Sequence, residues 1–217
     1  MSSIKKKRPR KKKCKGCGDL FQPPLARPLA QVCSPRCAIA YQTEQKKRKA
    51  KKERQEFNQE DINWTKEKLQ QTVNTLAREI DRGLPCLATG KTGGQMHGGH
   101  VYSRGAHTQM RFNLHNIHRQ TAYSNTMQSH DGLMQEKLAD EYGPEYLQYL
   151  KQLRGSPVLK LSAKEYYSAH RKGLKLIKKV QRKDNRELNT PAKRIALRNE
   201  CNAALGIYPP SLAWFNV

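Results

Sequence analysis

Two sets of residues in this 217-residue chain have the types and spacing for chemistry. The first is cysteine. Cys14-x2-Cys17 is followed after fifteen residues by Cys33-x3-Cys37. Zinc takes four soft ligands at tetrahedral positions; a Cys-x2-Cys turn supplies two and a second pair closes the site. Gly16 and Gly18 suit the tight backbone of such a turn, and Pro35 fits the first turn of a helix beginning at the second pair. The intervening segment is proline-rich with no helical period, and too poor in apolar residues to hold itself without metal. Cys14, Cys17, Cys33 and Cys37 are therefore expected to bind one structural Zn2+. The second set is histidine and asparagine. Six of the seven histidines fall between His97 and His130, in a glycine-rich stretch that also holds Asn116 and Asn125.

The elements around these residues follow from pattern. Residues 1–13 carry eight basic residues and no acid, a composition expected to stay a disordered basic tail that contacts phosphates without reading sequence. Residues 14–45 form the four-cysteine finger. Residues 46–83 combine a basic helical linker, where seven of the nine residues Lys46–Arg54 are cationic, with an amphipathic helix carrying Ile62, Leu69, Val73, Leu76 and Ile80 on one stripe. Asn58 or Asp61 caps that helix, and Gly83 and Pro85 end it. Residues 84–135 hold the histidine-rich core, with strands expected around His100–Ser103 and Met110–Asn113 and a helix starting near Arg119. Residues 136–183 are helical, broken at Gly143-Pro144 and Gly155-Ser156-Pro157; Ser162 and Glu165 form a capping box. Residues 184–217 are a C-terminal tail with a helical piece near Pro191–Leu205.

Composition narrows the function. Lys and Arg number 42 against 18 Asp and Glu, a formal charge of +24, with 36% hydrophobic residues. No stretch of about 18 apolar residues exists, so no membrane span or membrane partner is expected, and no apolar segment follows the basic N-terminus as a secretory signal requires. A reducing, cytoplasmic setting follows, in which cysteines bind metal rather than pair. A polyanion is the expected partner, nucleic acid first. Gly90-Lys91-Thr92 is no phosphate loop, because Pro85 stands where that motif needs glycine.

The order HGGH, loop, RFN, Asn116-Ile117-His118, then Asn125, is that of the ββα-metal or HNH nucleases. The stretches REIDRGLPC, GGH, MRFN, NIHRQ and SN, together with the finger and basic linker, make the chain resemble the phage NinG/Rap family of branched-DNA endonucleases. That resemblance covers roughly residues 10–175. It implies an α+β, mostly helical fold: a small N-terminal four-cysteine zinc finger, a basic helix, an HNH-like ββα-metal (treble-clef-like) core and a helical C-terminal region. It implies that His100 is the general base, that Asn116 orients the loop and base, and that Asn125 holds a catalytic Mg2+ or Mn2+ together with His97, which stands where the family has an aspartate. It further implies that Lys11, Lys12, Lys13, Lys46, Lys47, Arg48, Lys49, Lys51, Lys52, Arg104, Arg111 and His118 contact DNA. The family also carries two further Cys-x2-Cys pairs around the site; here those positions are Cys86, Thr89, Thr121 and Ser124, and hydroxyls are poor zinc ligands. The implied function is metal-dependent cleavage of branched recombination intermediates such as Holliday junctions and D-loops, by a homodimer that also meets other recombination proteins. Two alternatives give the same charge arithmetic: a non-catalytic zinc-finger nucleic-acid-binding protein, and a structural ribosome-type protein.

Overall fold

A computed structural model describes residues 9–126 and 130–214, a mostly helical α+β fold that divides into two compact units, up to Phe57 and from Asn58. In the first unit, β1 (Lys12–Lys13) pairs antiparallel with β2 (Leu20–Phe21). Lys12 and Lys13 thus lie in a strand and not in a disordered tail, because the knuckle between them closes through Cys14 N–H donating to the Asp19 carbonyl at 2.8 Å; residues 1–8 of the expected tail lie outside the described residues. Helix α1 (Pro35–Glu60) starts inside the finger, with Cys37 in its first turn, and continues through the basic run with no buried residue. Its surface is held locally by i,i+4 pairs, Lys49 with Glu53 and Lys52 with Glu56.

The second unit is built on α2 (Ile62–Ile80). Asp61 caps it, its carboxylate accepting from the Asn63 and Trp64 amides. The apolar stripe does what its period requires: Leu69, Val73, Leu76 and Ile80 are fully buried, while Ile62, in the first turn, stays exposed. Against α2 lie a two-stranded hairpin, β3 (Met96–His100) with β4 (Ile117–Thr121), and the later helix α6 (Ala163–Gln181). The short α3 (Ala122–Thr126) follows β4 directly, and α4 (His130–Tyr142) and α5 (Pro144–Leu153) complete a second apolar cluster with Met110, Val101 and Leu87. Ser162 and Glu165 close the expected capping box at the start of α6.

Three expectations are corrected. The strands are Met96–His100 and Ile117–Thr121, so Met110–Asn113 lies at a 3-10 turn and its apolar residues point into the cores rather than along a ladder. Arg119 belongs to β4, and helix begins only at Ala122. Residues 184–214 are not a tail: α7 (Pro191–Leu205) buries Leu197, Arg198, Cys201 and Leu205 among the core residues, and Trp214 docks by a backbone amide on Asn199 Oδ1 at 3.0 Å.

Candidate functional site

The four cysteines of the finger gather with their sulfur atoms all within 4.8 Å of one another, the only such His/Cys/Asp/Glu group among the described residues. Cys17 and Cys33 sulfurs are 3.7 Å apart and Cys33 and Cys37 3.5 Å; the edge of a Zn–S tetrahedron with bonds of about 2.3 Å is about 3.8 Å. Burial would raise the Cys14 thiol, but amide donors from its neighbours, among them Gly16 and Cys33 at 3.3 Å, bring it down to about 6, which favours the thiolate a metal needs. Gly16 is required for space, since a Cβ there would lie 2.6 Å from that of Cys37. The donor set fits a structural zinc. Cys37→Ala is expected to reduce the zinc content of the purified protein from one ion per chain to none; a variant that keeps a full equivalent would place the metal elsewhere.

The histidine–asparagine set is organised by the β3–β4 hairpin. Successive side chains of a strand point to opposite faces, and the two glycines of HGGH show which face is which. A Cβ at Gly98 would sit 2.7 Å from the Asn74 carbonyl of α2; one at Gly99 would overlap the Gln120 carboxamide and lie 2.9 Å from Asn125 Oδ1. Glycine at both positions lets α2 approach on one side and two amide oxygens on the other. His100 shares the α2 face, whereas His97, paired with Gln120, shares the face of Asn125. His97 and Asn125 therefore lie on one face of the hairpin and His100 on the other.

His100 is half-buried at the end of β3. Its Nε2 lies 2.9 Å from the Arg111 carbonyl, an acceptor that favours the tautomer with the proton on Nε2 and the lone pair on Nδ1. Burial pushes its pKa down to about 4, the carbonyl bond works against this, and the Arg104 and Arg111 charges add to the lowering. Gln70 of α2 stands 3.3 Å from the same nitrogen and accepts from Arg111 Nε at 2.9 Å. Asn116, fully buried, ties the intervening loop to itself: Oδ1 accepts from Tyr102 N–H at 2.8 Å, while Nδ2 donates to the Tyr102 and Met110 carbonyls at 2.9 and 3.4 Å. These three hydrogen bonds all go to backbone, so the side chain organises the loop.

Of the expected DNA contacts, Lys11, Lys13 and the α1 cations Lys46, Lys47, Arg48, Lys49, Lys51 and Lys52 are exposed, and Lys12 is half-buried. Arg104 is half-exposed and Arg111 is mostly buried, both beside Glu67. His118 is corrected: it has no exposed surface, so no phosphate reaches it. Its Nε2 donates to the His115 carbonyl at 3.0 Å and its Nδ1 accepts from Arg198 at 3.0 Å. Burial, reinforced by the Arg198 charge, holds its pKa well below the ordinary value.

Several residues that shape the site carried no local signal. Arg198 donates to both oxygens of Asp81 at 2.9 Å, 117 residues away, and to the Leu114 carbonyl at 3.0 Å. Asn202 accepts from Leu114 N–H and Tyr208 from Phe112 N–H, both at 3.1 Å. Cys86, Thr89, Thr121 and Ser124 do gather: Thr121 Oγ1 lies 3.9 Å from Cys86 Sγ and accepts from Ser124 N–H at 3.2 Å. Burial would raise the Cys86 thiol, but hydrogen bonds from Thr89 and Thr121 bring it to about 7. One thiol among three hydroxyls is a hydrogen-bonded cluster, not a zinc ligand set.

Comparison with known proteins agrees with the motifs. No solved structure matches the chain. The protein ninG of Escherichia phage lambda is 43% identical over 67 residues, 30% of this chain and 32% of the relative. The ninG protein of Salmonella phage P22 is 42% identical over a segment of the same length, with the same coverage. The aligned segment thus spans about a third of these relatives. The family model described as "Bacteriophage Lambda NinG protein" matches residues 6–184. Because that match takes in most of the chain, from the basic N-terminus through the cysteine finger and the hairpin to the end of α6, the chain belongs to the NinG family.

Proposed function

We propose that this protein is a metal-dependent DNA endonuclease that cuts branched recombination intermediates, and that it works as a homodimer because resolving a four-way junction takes two cuts. The observation that carries the reading is the placement of His100: its Nε2 is 2.9 Å from the Arg111 carbonyl, which favours a lone pair on Nδ1, at a strand end whose following loop is tied down by Asn116. A base held in one tautomer by a backbone acceptor is what proton abstraction from water needs. His100 Nδ1 takes the proton of the attacking water as its oxygen bonds to phosphorus and the P–O3′ bond breaks. The charges of Arg104 and Arg111 draw the phosphate to that edge. The phosphate's negative charge in turn opposes theirs and raises the histidine's basicity. A Mg2+ or Mn2+ ion would neutralise phosphate charge and stabilise the leaving oxygen; Asn125, which the resemblance makes its ligand, lies on the opposite hairpin face from His100.

On a synthetic four-way junction with Mg2+ or Mn2+, His100→Ala is expected to lower the cleavage rate by about 10²- to 10⁴-fold, with junction binding followed in parallel to separate chemistry from affinity. Undiminished cleavage would remove His100 from the reaction.

One observation favours a second reading, a non-catalytic zinc-finger nucleic-acid-binding protein. Magnesium sites ordinarily include a carboxylate, and among the described residues no His/Cys/Asp/Glu cluster other than the finger cysteines could take a metal. Tight junction binding with no nicking by the wild-type chain under any divalent ion is the result that would decide for it.

A further inference from the structure

The face formed by α2 and α6 combines cations and aromatic rings in a way the cores do not use. On α6, Lys164, Arg171, Lys175, Lys178 and Arg182 follow at spacings of seven, four, three and four, which puts them on one side of the helix and its final turn. All five are exposed, and none forms a salt bridge with a described residue. The single acid of α6, Glu165, is spent on the Ser162 cap. An ordinary solvated helix face mixes both signs, as α1 does with Glu53 and Glu56. This crest has one sign over about 27 Å, at 1.5 Å per residue.

Beside the crest stand aromatic side chains. Trp64 of α2 and Tyr167 of α6 have ring centroids 6.4 Å apart, and Tyr167 and His170 are 6.0 Å apart. Lys68 lies over the Trp64 ring at 5.6 Å, and Thr72 Oγ1 is bonded to His170 Nδ1 at 2.6 Å, so the edge is held in place from α2. Trp64 and Tyr167 are half-exposed and belong to neither hydrophobic cluster. Phosphates need only the cations. Large π-faces next to a backbone-length row of cations suit a strand whose bases are unpaired, because stacking on a protein ring requires a base that has left its duplex.

We propose that the α2–α6 face binds an unpaired DNA strand: the α6 crest takes its phosphates, and Trp64 and Tyr167 stack its bases. The proposal does not rest on cleavage. A branched substrate offers such a strand wherever its arms open.

The chain has two tryptophans, so full-length Trp214→Phe leaves Trp64 as the sole indole. This protein, with its zinc retained and no other divalent ion added, is titrated with oligothymidylate and with a blunt duplex of equal length. Saturable quenching of Trp64 by the single strand is expected. Trp64→Leu should weaken single-strand binding by about 5- to 100-fold, and Trp64→Phe should recover most of it. Lys175→Gln, Lys178→Gln and Arg182→Gln together should reduce the slope of log K against log salt by about 2. An unquenched Trp64, equal quenching by duplex, or a triple variant with unchanged slope would each overturn the proposal. Thermal melting of each variant confirms that it is folded. Because no metal-dependent cutting is read, a chain that binds in this way and never cuts would fail only the endonuclease reading.

Discussion

Replacing Arg198 by methionine lowers the unfolding free energy by about 3–5 kcal/mol, the cost of leaving a buried charge without its partner. Arg198 is fully buried, donates to both Asp81 oxygens, and reaches the Leu114 and Ile117 carbonyls and His118 Nδ1. Asp81 is equally buried. Burial alone would raise its pKa, but Arg198 first, then His118 and Arg119, keep it below the usual carboxylate value, and Asp81 in turn raises that of Arg198. Methionine matches much of the arginine's volume, so the loss measures charge and hydrogen bonds rather than a cavity. The two partners share one interaction, so Asp81→Asn combined with Arg198→Met should cost clearly less than the sum of the single changes. Urea unfolding at pH 7.5 with an unchanged m-value reads this directly; a midpoint shift worth under about 1 kcal/mol would show that the pair adds little.

The second large effect is acid sensitivity. His115 and His118 are buried and neutral. His115 accepts from the Tyr146 hydroxyl and donates to Asn199 Oδ1, both at 2.8 Å; burial, with the Arg198 charge, pushes its pKa down to about 3. His118 is lowered by burial and Arg198 against the opposing pull of Asp81. A histidine whose folded pKa lies below its unfolded value near 6.5 binds more protons unfolded, so its stabilisation is complete above pH 6.5 and is lost as the pH falls toward the folded pKa. Each residue costs up to about 1.4 kcal/mol per pH unit in that window, so His115 accounts for about 2 kcal/mol by pH 5 and His118 adds a loss of the same sign. The depressed carboxyl of Asp81 adds a further loss only below its ordinary value of 3.8. Against a total stability of about 5–15 kcal/mol, a sharp decline between pH 6.5 and 5 is expected in urea midpoints, with proton uptake on unfolding to which His100, lowered to about 4, also contributes. A flat profile from pH 7 to 5 would mean that these histidines titrate alike in both states.

What could be read in the sequence was local. The cysteine spacing found the finger, the 3.6-residue stripe found α2, and Ser162 with Glu165 found the start of α6, because each signal lies within a few residues of what it specifies. The hairpin was misplaced because Met96–His100 has almost no apolar alternation: two glycines replace the side chains a strand pattern is recognised by, and they are there because α2 and the Gln120–Asn125 amides occupy the space. The order of motifs placed His100, Asn116 and Asn125 in one region. It did not show that strand alternation would set His97 on the opposite face from His100. His118 looked like a phosphate contact because a histidine beside an arginine in a polar stretch carries no mark of burial; its partners Arg198 and Asp81 lie 80 residues downstream and 37 upstream in sequence.

The hydrogen bonds that fix the loop between the two strands come from the far end of the chain: Asn202 takes Leu114 N–H, Tyr208 takes Phe112 N–H, and Arg198 holds the Leu114 carbonyl. Synthesis runs from the N-terminus, so the ribosome completes the finger, the basic helix and both strands of the hairpin well before it reaches these anchors. On the proposed function, the early cations are in place while the loop that presents the Arg111 carbonyl to His100 still lacks its supports. The order of translation therefore builds the basic helix before the loop is anchored, and a chain interrupted before residue 198 would carry the proposed DNA grip without the bonds that fix the loop beside His100.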